Sequence, residues 1–237
     1  MKKKVINHNE RNTMKTIGIL GGLGPESTLE YYKYITRTYY ETHKDYAYPE
    51  IIIYSVDFKR YIDQKYEVAD DVRETIGKLH SAGADFVVAA CNSIHIVYDE
   101  VSKDIPIPWI SIMDAVAEQI KKKNINKIGL LGTMCTMTKG FYHKALAEQG
   151  IETLTPDDYT KKKVNDIIFN ELVLGIVKDK SKQYVLDCIE GLSQKGVQGI
   201  VLGCTELPFL IQQKDTTMPV FDSTVIHAGK ALELALA

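Results

Sequence analysis

Apolar positions fall in short β-branched runs separated by longer stretches in which they recur every three or four residues. Strands are expected at Thr16–Leu20, Ile51–Ser55, Phe86–Ala90, Trp109–Ser111, Lys127–Leu131, Gly199–Leu202 and Pro219–Phe221. Their near-continuous apolar character suits strands covered on both faces, as in a parallel sheet. Helices are expected at Ser27–Thr42, Val68–Ala82, Asp114–Lys123, Lys139–Gln149, Lys163–Val177, Lys182–Lys195 and Thr224–Leu236. Strand and helix in alternation predict an α/β fold with right-handed crossovers.

The pattern repeats. Thr16-Ile17-Gly18-Ile19-Leu20-Gly21 recurs as Lys127-Ile128-Gly129-Leu130-Leu131-Gly132, each a strand running into a small-residue turn. The segment from Gly83 through Phe86 to Cys91-Asn92 recurs as Gly196 through Ile200 to Cys204-Thr205. Gly18 lies 73 residues before Cys91 and Gly129 lies 75 before Cys204. Two pseudo-symmetric lobes follow, each ending an interior strand in a cysteine. Ligands sit beyond the carboxyl ends of strands in such sheets, so facing lobes put Cys91 and Cys204 on opposite walls of one cleft. Residues 1–13 read as a disordered leader. The first lobe is expected at 14–113 and the second at 114–221, with the boundary near Lys121–Lys123.

Composition narrows the partners. The 237 residues are 45% hydrophobic and 25% charged, enough for a real core. Twenty-nine basic against 31 acidic residues leave −2, which argues against nucleic acid or a membrane surface as partner. No apolar run reaches the ~18 residues of a membrane span. The cysteines 91, 135, 188 and 204 include no CxxC pair, and the leader lacks the apolar centre of a signal peptide. Reduced thiols in a cytoplasmic protein are expected. The six histidines show no zinc-type spacing, so no structural metal is expected.

Both Cys91-Asn92-Ser93-Ile94-His95 and Cys204-Thr205-Glu206-Leu207-Pro208 place a thiol where a helix amino end can lower its pKa. A thiolate and a thiol across a small ligand form a matched base and acid. One removes a proton from one face of a carbon and the other delivers one to the opposite face, inverting a stereocentre without a cofactor. Cys188 reads as a core residue, and Cys135 as structural or cleft-lining. His95 either orients the site or faces the core. Glu206 either tunes Cys204 or caps the next turn. The run Gly22-x-Gly24-x-x-Ser27 lacks the third glycine and the acidic residue of a dinucleotide site, and no phosphate-loop lysine follows.

Four blocks resemble the aspartate/glutamate racemases of the wider aspartate/glutamate/hydantoin racemase superfamily. They are Gly18 to Thr28, Ala90 to His95, Leu131 to Met137, and Gly203 to Leu207. The resemblance implies two flavodoxin-like lobes, with helix 222–237 packing back on the first, and a homodimer. It implies a cofactor-independent racemase of aspartate or glutamate in which Cys91 and Cys204 exchange protons. It also implies that Asn92, Ser93, Thr133 and Thr205 bind the α-carboxylate and amino group. Arg60 and Lys163 are the residues it suggests for a side-chain carboxylate; Lys162 is a rival to Lys163, and the register of Arg60 is open. Other superfamily reactions on small carboxylates (a broad-specificity or hydantoin racemase, a dicarboxylate isomerase) remain alternatives, as does a silent amino-acid binder.

Overall fold

The computed structural model describes residues 14–62 and 68–237; the expected leader lies outside them. The first half contains β1 (Ile17–Gly21), α1 (Pro25–His43), β2 (Ile51–Ser55), α2 (Phe58–Ile62), α3 (Val68–Ser81), β3 (Phe86–Ala89) and α4 (Tyr98–Val101). The second contains α5 (Ile112–Lys122), β4 (Lys127–Gly132), α6 (Met134–Thr138), α7 (Phe141–Glu148), β5 (Glu152–Leu154) and α8 (Asp158–Asn170). It continues with α9 (Asp179–Ser193), β6 (Ile200–Gly203), α10 (Leu207–Leu210), β7 (Val220–Asp222) and α11 (Ser223–Leu236). All strand pairs are parallel, in one sheet ordered β2-β1-β3 and another ordered β5-β4-β6-β7.

The repeat is visible in the register. Leu20 pairs with Ala89 at the end of the first sheet, and Gly132 with Gly203 at the end of the second. The chain's last helix crosses back to cover the first sheet, while α5 covers the sheet of its own half. Ile112, Val116 and Ile120 of α5 join Ile128, Leu130 and Val201 in one core. Ala228, Ala231 and Ala235 of α11 join Ile17, Ile19 and Tyr31 in another.

Several boundaries differ from expectation. Trp109–Ser111 forms no full strand and makes only a bridge from Trp109 to Val87. Pro106 and Pro108 lack the N–H groups a longer ladder needs, and the Ser111 hydroxyl already accepts from Asp114 N–H as the α5 cap. Helix Lys163–Val177 begins five residues earlier, because the Asp157 carboxylate accepts from Thr160 N–H at 2.8 Å and opens α8. It ends at Asn170, and Gly175 at φ 73° turns the chain away. Lys139–Gln149 starts instead at Phe141 as α7, after Gly140 at φ 81°, and the short α6 ahead of it was not expected. The edge strand β5 was not expected; three residues give too little alternation to see.

Two buried histidines tie α11 and α5 to the first sheet. His227 Nε2 lies 3.0 Å from the Ile110 carbonyl, which only accepts, so Nε2 carries the proton and Nδ1 accepts from Tyr31 O–H at 2.7 Å. His95 Nε2 accepts from Ile112 N–H at 3.2 Å, so its Nδ1–H donates to the Cys91 carbonyl at 3.0 Å. Burial lowers their pKa values to about 4 for His95 and about 3 for His227.

Both rings are therefore neutral when folded, whereas unfolded histidines take up protons near pH ~6.5. Their contribution is fully present above about pH 6.5 and is lost as pH falls toward about 4 and then 3. Urea unfolding is expected to show about 1–3 kcal/mol less stability at about pH 5.5 than at about 7.5, and His227→Gln to flatten part of that slope. A second pair of substitutions tests the turn after β1. Gly22 has φ 86°, and a Cβ there would lie 2.6 Å from the Val56 carbonyl oxygen. Gly22→Ala is expected to cost about 2 kcal/mol or more, while Gly77→Ala, in open space within α3, gains about 0.5–1 kcal/mol. Thermal melts read both.

Candidate active site

The thiols and the hydroxyl and amide groups around them lie just beyond the carboxyl ends of strands, unlike Lys163 within α8. Ser27 and Thr28 follow β1, Cys91 to Ser93 follow β3, Thr133 to Thr136 follow β4, and Cys204 to Glu206 follow β6. The two carboxyl edges meet. Ser27 Oγ donates to Thr205 Oγ1 at 2.5 Å, and Ser93 Oγ lies 3.0 Å from Thr133 Oγ1 and 3.4 Å from Thr136 Oγ1. These hydroxyls belong to opposite halves of the chain, so the walls touch through groups that can exchange partners with a ligand.

The thiols occupy this seam. Cys91 is half-buried and Cys204 is 5% exposed. Burial pushes the Cys91 thiol up to about 11, although backbone N–H groups of Ile94 and Ser93 favour its ionised form. The helix amino end expected to lower this pKa contributes those N–H groups, but desolvation outweighs them. Cys204 lies well above its ordinary value, chiefly through burial and then through the charge of Glu206; the charge of Cys91 also reaches it. Its thiol donates to Glu206 Oε2 at 2.9 Å.

Asn92 is 3% exposed and committed to the protein. Its Oδ1 accepts from Tyr142 O–H at 3.1 Å, and its Nδ2 donates to Ser223 Oγ at 2.9 Å. Ser223 O–H in turn donates to the Leu202 carbonyl at 2.7 Å. That chain fixes which way the amide points. His95 holds the Cys91 carbonyl rather than the sulfur. Cys135 is half-buried on α6, close enough to hydrogen-bond Ser93 and for its charge to reach Cys91. Cys188 packs at the edge of the second core.

The two side chains suggested for a substrate carboxylate face carboxylates of the protein itself. Arg60 Nη2 donates to Asp71 Oδ1 at 2.7 Å. Lys163 is exposed, with its charge near Glu171. Lys162 pairs with Asp166 at 2.8 Å. On the same helix Asn165 Oδ1 accepts from Met134 N–H at 2.8 Å, which places the Asn165 face toward the β4–α6 turn. Lys161, one helical turn before Asn165, has a side chain 15% exposed and acts electrostatically on His143. Among the described residues no three His, Cys, Asp or Glu side chains converge as a metal site, and no helix is long and apolar enough to cross a membrane.

Sequence reasoning missed Ser27, Tyr142 and Ser223 as parts of this site. Ser27 sat in the glycine-rich block and Tyr142 in the aromatic pair opening α7, where a signal existed. Ser223 had none.

Comparison with known proteins bears on the family and the fold. The family model for Asp/Glu/Hydantoin racemase matches residues 20–231. The broad specificity amino-acid racemase RacX of Bacillus subtilis is 26% identical over 93% of this chain and 98% of its own. The crystal structure of an aspartate racemase homologue from Pyrococcus horikoshii OT3 superposes with a TM-score of 0.85. It is 42% identical and covers 94% of this chain and 100% of that one. The Picrophilus torridus aspartate racemase, 24% identical, shares the fold with a TM-score of 0.71 over 93% of this chain and 94% of its own. With two parallel sheets meeting at their carboxyl edges and a family match spanning nearly all of the folded sequence, this chain belongs to the Asp/Glu/Hydantoin racemase family.

Proposed function

We propose that this protein is a cofactor-independent amino-acid racemase that inverts Cα of aspartate or glutamate, with Cys91 and Cys204 as the two proton-exchanging groups. The observation that carries this reading is the placement of one thiol at the end of β3 and one at the end of β6 in a single seam. A substrate entering there replaces the hydroxyl contacts of Ser93 with Thr133 and of Ser27 with Thr205. The freed hydroxyls then accept its ammonium or donate to its α-carboxylate, as the resemblance assigns to Ser93, Thr133 and Thr205. Asn92 keeps its bonds to Tyr142 and Ser223 and uses its remaining Nδ2–H toward the carboxylate. One thiolate takes the Cα proton, negative charge spreads into the carboxylate, and the other thiol protonates the opposite face.

A second reading, broad specificity, is favoured by Arg60, whose guanidinium is engaged by Asp71. An arginine so held offers less to a substrate carboxylate, and neutral amino acids then fit as well. Lys163 has the same standing, exposed on α8 and needing a side-chain swing to reach the seam. We place the protein in the cytoplasm as a homodimer, which light scattering tests against twice the 26.7 kDa chain mass.

NMR of Cα-proton exchange in D₂O, with chiral chromatography, is the decisive assay on L-aspartate, L-glutamate and neutral amino acids. Exchange with formation of the D-isomer is expected, and Cys91→Ala and Cys204→Ala should each lose about a hundredfold or more. A folded protein that exchanges none of these substrates rejects the reading. Exchange of neutral amino acids as fast as of acidic ones selects broad specificity. Tyr142→Phe leaves Asn92 Oδ1 unsatisfied in a buried site. It should cost about 1–3 kcal/mol of stability and lower kcat, because the amide is free to turn; steady-state kinetics and urea titration check the two effects.

A further inference from the structure

The internal repeat makes two similar thiol turns, yet their third residues differ in kind. Cys91-Asn92-Ser93 corresponds to Cys204-Thr205-Glu206, so an acid stands where the first lobe has a hydroxyl. The surroundings of the two sulfurs differ accordingly. Cys91 meets backbone N–H groups of Ser93 and Ile94, which favour a negative sulfur. Cys204 directs its own proton at the Glu206 carboxylate, 2.9 Å away. Glu206 is 8% exposed. Its Oε2 also accepts from Thr205 O–H at 2.8 Å, and its Oε1 lies 3.4 Å from Ser27 Oγ. The single Ser27 proton goes to Thr205 at the shorter distance, and Thr205 in turn donates to the carboxylate, so the first lobe holds Glu206 through Thr205. A Cβ at Gly24 would come within 3.1 Å of Glu206 Oε1, so the loop before α1 closes over it.

Resting on the two-thiol reading above, we propose that Glu206 is a positioning residue that keeps Cys204 protonated at rest, so that Cys91 enters the first turnover as the base. In that turnover the Cys91 thiolate takes the Cα proton, leaving the bonding pair delocalised into the substrate carboxylate. The Cys204 S–H bond then breaks as its proton passes to the opposite face of Cα. Cys91 ends as thiol and Cys204 as thiolate beside a carboxylate. That end state is repelled at close range. It resets when a proton leaves Cys91 and another reaches Cys204 through water, with no net gain or loss. The resting enzyme is therefore matched to the enantiomer whose Cα–H faces Cys91. The charge of Glu206 also reaches Cys91, as does that of Cys135 on α6, and the charge of Cys91 in turn reaches Tyr31 on α1 and Tyr61 on α2. None of these is a cation that would offset Glu206.

The test is an NMR pH titration of protein labelled with ¹³C at cysteine Cβ, whose shift separates thiol from thiolate. Cys91→Ser and Cys204→Ser identify the two signals. In the unmodified protein Cys91 is expected to ionise at lower pH than Cys204. Glu206→Gln should lower the Cys204 midpoint by about one unit or more and move Cys91 by less, while Glu206→Asp keeps Cys204 high. Cys204 ionising first in the unmodified protein, or an unmoved Cys204 midpoint in folded Glu206→Gln, overturns the proposal. The first comparison needs no variant at position 206, so a misfolded variant leaves the proposal open to refutation. Cα-proton exchange by the same unmodified sample separates the two readings. Exchange with the wrong order of ionisation sinks only the role of Glu206, whereas the expected order without exchange sinks the racemase.

Discussion

A seam of buried polar groups that only the opposite lobe can satisfy governs this structure. An unpaired buried hydroxyl or amide costs about 1–3 kcal/mol, and here several are paired across the two halves of the chain. Asn92 needs Tyr142 and Ser223, Ser27 needs Thr205, and Ser93 needs Thr133. A rotation of one sheet against the other would break all of these together. The seam therefore sets the relative placement of two sheets whose own cores are apolar and would tolerate other arrangements.

The helices enforce the same placement from outside. Because α11 of the second half covers the first sheet, the first half does not bury its apolar face without the second. His95 and His227 stitch this packing to the site. One holds the carbonyl of Cys91 and the N–H that opens α5, and the other joins Tyr31 of α1 to the strand-like segment at Ile110. Their rings lie 5.7 Å apart, edge to face, and both are neutral. The expectation that His95 either orients the site or faces the core resolves into both, since it is a core residue whose hydrogen bond fixes the backbone of Cys91.

The chemistry follows from desolvation. In water a thiol near its ordinary pKa is a mediocre base for an unactivated Cα–H. In the seam the Cys91 thiol is pushed up to about 11 and Cys204 higher than usual, so each becomes a stronger base once ionised and a weaker acid when not. The two sulfurs differ in degree, because Cys204 has the Glu206 carboxylate beside it.

Much of this was legible in one dimension because strand length, parallel pairing and the position of a residue at a strand end are local properties. The repeat of Gly18 to Cys91 in Gly129 to Cys204 located both thiols and both sheets. Boundaries governed by a single cap, such as Asp157 before α8 or Ser111 before α5, were displaced because a hydrogen bond of one side chain outweighs the periodicity around it. Ser223 carried no local sign of its role and Tyr142 only the aromatic pair it belongs to, since their partner Asn92 lies 131 and 50 residues away. Likewise the sequence placed a lysine cluster near the site but not which lysine faces it, a matter of helical phase set by where Asn165 docks. What the sequence by itself determined was the fold class, the internal symmetry and the pair of cysteines. Which polar groups touch across the seam was decided by tertiary structure, because long-range burial selects partners that spacing does not encode.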